Sequence, residues 1–113
     1  MKIDYINYGK IRVGDKEYSE SVVISSEGLI FNWKEKKKID EKSMEMLLKQ
    51  NPEVLIIGKS KSFTEVTPEA KGLLKGKEII LIEDDLSEAI NCFNRGTKIY
   101  ESVLAVFVIE DTS

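Results

Sequence analysis

Val54-Leu55-Ile56-Ile57-Gly58 and, further on, Ile79-Ile80-Leu81-Ile82 are two uninterrupted apolar runs of strand length. Strands that are apolar at every position, not at alternate ones, are covered on both faces. Between the two runs lies a helix signal. Thr67-Pro68 supplies an N-cap with proline at the first helical position, Ala70, Leu73 and Leu74 share one face, and Gly76 suits the C′ position. Two buried strands joined through a helix make a right-handed βαβ unit, with both strands parallel in one sheet. The fold class that follows is α/β.

Toward the C-terminus, Asp84 or Asp85 caps another helix. Its apolar positions Leu86, Ala89, Ile90 and Phe93 recur at helical spacing, and Gly96 ends it. Val103 to Ile109 is the last strand. Toward the N-terminus, Asp40 caps a helix, with Ile39 and Met44 placed as a hydrophobic staple. Met44, Leu47 and Leu48 form its apolar face, and Pro52 stops it. The first third of the chain is extended. Ile11 and Val13 alternate with Lys10 and Arg12, and Gly14-Asp15 offers a hairpin turn. Tyr18, Val22, Val23 and Ile24 continue a second strand, Glu27-Gly28 turns, and Leu29 to Trp33 forms a third. The expected architecture is a single layered domain over residues 1–113, with a mixed β-sheet of about five strands, N-terminal β-hairpins and helices packed on the sheet.

Composition narrows the chemistry. The chain of 113 residues has no histidine and one cysteine, Cys92. A Ser-His-Asp triad, a Cys-His pair and an imidazole-based zinc site are thereby excluded, and no cofactor is expected. The lone cysteine rules out an internal disulfide and makes a cytoplasmic location the expectation. The net charge of −3 argues against nucleic acid as a partner. No apolar run reaches the length of a membrane helix, so no membrane partner is expected either. The opening Met1-Lys2-Ile3-Asp4-Tyr5 reads as strand, not as a signal or transit segment. The surplus of lysine over arginine fits a thermophile and an AT-rich genome equally.

Ligands of open α/β sheets gather outside the carboxyl ends of the parallel strands, and two segments leave such ends. The first is Gly58-Lys59-Ser60-Lys61-Ser62-Phe63-Thr64, where backbone N–H groups with Lys59 or Lys61 could hold an anion. It has neither P-loop nor GxGxxG spacing, so an ordinary polar loop explains it as well. The second is Glu83-Asp84-Asp85-Leu86-Ser87-Glu88, read as a loop whose carboxylates could bind Mg²⁺ or Ca²⁺. Helix capping accounts for the same residues without a metal, and no metal site is expected. Asn94 would complete a pocket if a cavity joins the two loops. Cys92 lies too late in its helix for activation of its thiol. The run Lys34-Glu35-Lys36-Lys37-Lys38 reads as a solvated connector in an acidic protein. Trp33 is the candidate interface anchor, with core packing as the competing role.

Taken together, Tyr8-Gly9, Ile11, Val13 and Tyr18, Gly28, Trp33-Lys34, Pro52-Glu53-Val54-Leu55-Ile56-Ile57-Gly58, Ala89 and Phe93-Asn94 carry a resemblance. In order and spacing the chain resembles a family of small uncharacterised α/β domains found in archaea, bacteria and eukaryotes. Eukaryotic members of that family include a mitochondrial complex I assembly factor and an adipogenesis-associated protein. The chain differs from the family pattern at Ser60, where a second glycine is common, and at Tyr100-Glu101-Ser102, where an arginine is common. The resemblance implies a mixed sheet, no established enzymatic activity, and work through a protein partner, with homo-oligomerisation left open. The alternative is a small anionic-ligand-binding protein or enzyme using Gly58, Lys59, Ser60, Lys61, Asp84, Asp85 and Asn94.

Overall fold

The computed structural model describes residues 2–7, 9–33, 38–61 and 65–109. The chain opens with β1 (Ile3–Asn7), β2 (Lys10–Val13) and β3 (Lys16–Tyr18), which form an antiparallel three-stranded sheet. Gly14 turns the β2–β3 hairpin at φ 61°, a left-handed conformation that glycine adopts without steric cost. Then follow β4 (Val22–Ser25), β5 (Ile30–Asn32), the two-residue β6 (Lys38–Ile39) and α1 (Glu41–Leu48). Next come β7 (Val54–Lys59), β8 (Glu65–Val66), α2 (Pro68–Gly72), β9 (Ile80–Asp85), α3 (Leu86–Gly96) and β10 (Val103–Phe107).

The main sheet has five strands in the order β5-β4-β10-β7-β9. It is mixed: β10, β7 and β9 run parallel, while β4 and β5 join antiparallel. Alternate residues of its central strands feed two cores. Val54, Ile56, Val103, Ala105 and Phe107 face α3 and the N-terminal sheet. Leu55, Ile57, Leu104 and Val106 face Met44 and Leu47 of α1 and Ala70 of α2. This two-sided cover is why β7 and β10 are apolar at every position. The helix caps stand where the sequence places them. Asp40, Thr67 and Asp85 each accept a backbone N–H from three residues on.

The Asp40 cap has a testable pH signature. The Ser43 backbone N–H lies 2.9 Å from Asp40 Oδ1 and holds the carboxyl below its ordinary value, with the Ser43 side chain and the Lys38 charge acting in the same direction. A lowered folded pKa means the carboxylate stabilises the fold fully above the unfolded value, near 3.9, and loses that contribution as pH falls through the folded one. Parent and Asp40→Asn melting temperatures should therefore differ at neutral pH and converge in acid. A gap that persists unchanged at low pH would contradict the assignment.

Several boundaries differ from expectation. Tyr18 and Val22 belong to separate strands, because β3 pairs with β2 while β4 crosses to the main sheet beside β10. The α2 helix ends at Gly72, and Leu73 and Leu74 sit in turns before Gly76, at φ 79°. Ile79 to Ile82 is not buried on both faces. Its strand, β9, is an edge, and Ile80 is 45% exposed. The strand also runs on to Asp85, so Glu83 to Asp85 are not a loop. Residues 34–37 and 62–64 lie outside the described residues.

Candidate functional site

Parallel pairing sets Gly58 against Asp84 and Lys59 against Asp85. The two segments singled out at the strands' carboxyl ends are therefore neighbours, as adjacent strands instead of facing loops. Lys59 Nζ lies 3.9 Å from Glu83 Oε1, and Lys71 Nζ of α2 lies 3.6 Å from Glu83 Oε2. One carboxylate thus sits between two ammonium groups, which lowers the pull of Lys59 on an outside anion. Lys61 is exposed and Ser60 is 6% exposed.

Gly58 has a packing role. A methyl built there would lie 2.9 Å from Phe107 Cδ1, 3.0 Å from Ala89 Cβ and 3.4 Å from Leu86 Cδ1. The glycine lets α3 seat against β7, the use of glycine where two elements approach closely. Asp84 Oδ1 accepts the Asp85 N–H at 2.8 Å, and Asp85 Oδ1 accepts the Glu88 N–H at 2.8 Å. Both carboxylates serve the strand-to-helix junction. Among the described residues, no three His, Cys, Asp or Glu side chains sit together as a metal-binding group.

Asn94 does not join these residues. It lies nine positions beyond Asp85, about 13 Å along the helix axis at the α-helical rise. Its Oδ1 accepts the Ile3 N–H at 2.9 Å and its Nδ2 donates to the Ile3 carbonyl at 2.8 Å. The side-chain amide clamps β1 to α3 as a neighbouring strand would. Trp33 is also placed differently from an interface anchor. It is 3% exposed and belongs to the core cluster of Ile39, Met44 and Val66. Its Nε1 is buried, with no hydrogen-bond partner among the described residues. Cys92 is a free, half-buried thiol with Arg95 Nη2 3.5 Å from its sulfur.

An open depression of about 630 Å³ lies elsewhere, lined by Lys38, Asp40, Glu41, Glu65, Thr67 and Glu69 among others. It exists because β6 pairs parallel with β8, Ile39 opposite Val66, which sets the starts of α1 and α2 side by side. The sequence held a trace of this in two β-branched residues each followed by a cap, Ile39-Asp40 and Val66-Thr67. Two residues per strand are too few for a periodic signal. Both caps are occupied by their own helices, and the rim mixes lysines with glutamates. No helix among the described residues is long and apolar enough to cross a membrane.

Comparison with known proteins bears on fold and family. A conserved hypothetical protein from Pyrococcus horikoshii OT3 is similar in structure, with TM-score 0.82 at 22% identity, over 98% of this chain and all of the other. A Bordetella parapertussis protein gives TM-score 0.82 at 18% identity, covering 96% of this chain and 95% of its own. A Bartonella henselae chain described as an outer membrane protein gives 0.76 at 20%, covering 96% and 94%. Likeness at these identities establishes the fold alone. No curated protein matches the chain significantly. The family model for a protein of unknown function (DUF498/DUF598) matches residues 3–108, and the chain belongs to that family.

Proposed function

We propose that this chain is a non-catalytic protein-interaction domain of assembly type, and that it engages its partner through the free edge of β9. The observation that carries the reading is the edge itself. β9 is the outermost strand of the main sheet, none of its residues is fully buried, and Ile80 is 45% exposed. An open edge offers a row of unpaired backbone groups to an added strand, with side-chain positions on either face for specificity. Support also comes from the groups a small-molecule site would need. Gly58 is committed to packing, Asp85 to capping, Glu83 to two lysines and Asn94 to β1. A cytoplasmic setting belongs to the same reading and rests on the lone Cys92.

Affinity purification from the native cell, with parent and Ile80→Lys baits compared, tests this. A partner recovered with the parent and lost with the variant supports the proposal. A hydrolase or phosphatase activity abolished by Lys59→Ala or Asp85→Asn, with no edge-dependent partner, overturns it. The anionic-ligand alternative makes its own demand at Lys59 and Lys61. With Glu83 already beside Lys59, phosphate should leave the parent's melting temperature unchanged relative to chloride at equal ionic strength. A phosphate-dependent rise that Lys59→Ala with Lys61→Ala removes would favour the alternative.

A further inference from the structure

We draw no further inference here: the strongest candidate, the open depression between the starts of α1 and α2 rimmed by Asp40, Glu41, Glu65 and Glu69, is an acidic cluster at two helix N-termini whose caps, Asp40 and Thr67, are already taken by backbone N–H groups of their own helices, and among the described residues no three His, Cys, Asp or Glu side chains are grouped to hold a metal ion.

Discussion

Phe93→Ala is expected to lower the unfolding free energy by about 3–5 kcal/mol, the range for emptying a fully buried aromatic site. Phe93 is completely shielded from solvent and meets Phe107 edge to face, ring centroids 6.1 Å apart and planes at 75°. It lies where α3 seats on the main sheet, beside Val103 and Ile90 in the same core. The ring is held between a helix and a sheet that other contacts already fix, so the cavity cannot close by collapse. Urea unfolding followed by circular dichroism measures the change. A loss under about 1 kcal/mol, a size typical of average substitutions, would mean that α3 is not packed as described.

Gly58→Ala is expected to cost about 1–3 kcal/mol, the size of an overpacking penalty. Its methyl would meet Phe107 and Ala89 at 3.0 Å or less, and the Ala89 contact has no flexible side chain to move. Gly72→Ala is the control. A methyl there meets nothing within 4 Å and sits in α2, so the variant should gain up to about 1 kcal/mol from helix propensity. Opposite signs at two glycines separate packing from chain flexibility. If Gly58→Ala is neutral in stability yet removes a ligand response, the glycine belongs to a binding loop instead.

Much of the architecture was legible because it depends on local pattern. The α3 stripe, the three capping residues and the apolar runs of β7 and β10 each declare their element within a few residues. The boundaries of β9 were harder. Ile79 to Ile82 has the composition of a central strand, and composition does not record whether a neighbour lies on each side. Glu83-Asp84-Asp85 read as a loop because acidic residues are poor strand formers, but pairing with Ile57, Gly58 and Lys59 overrides that preference at an exposed edge.

The candidate site was less legible for the same reason. Gly58, Lys59, Asp84 and Asp85 stand opposite one another, because the carboxyl ends of adjacent parallel strands lie together in any such sheet. Their partners were hidden. Nothing near Asn94 in sequence points to the Ile3 backbone, and nothing near Glu83 points to Lys71 on another helix. Trp33 could serve equally as core or as anchor until the fold covered it.

Sequence alone determined the α/β class, the helix caps, the apolar runs of β7 and β10 and the exclusion of histidine chemistry. These follow from periodicity, capping and composition, which act over a few residues or over none. Tertiary structure alone decided that β9 is an edge, that Gly58 serves packing and that Asp84, Asp85 and Asn94 hold backbone groups. Those outcomes depend on which distant segment arrives beside each group, and burial and hydrogen-bond satisfaction are settled only when it does.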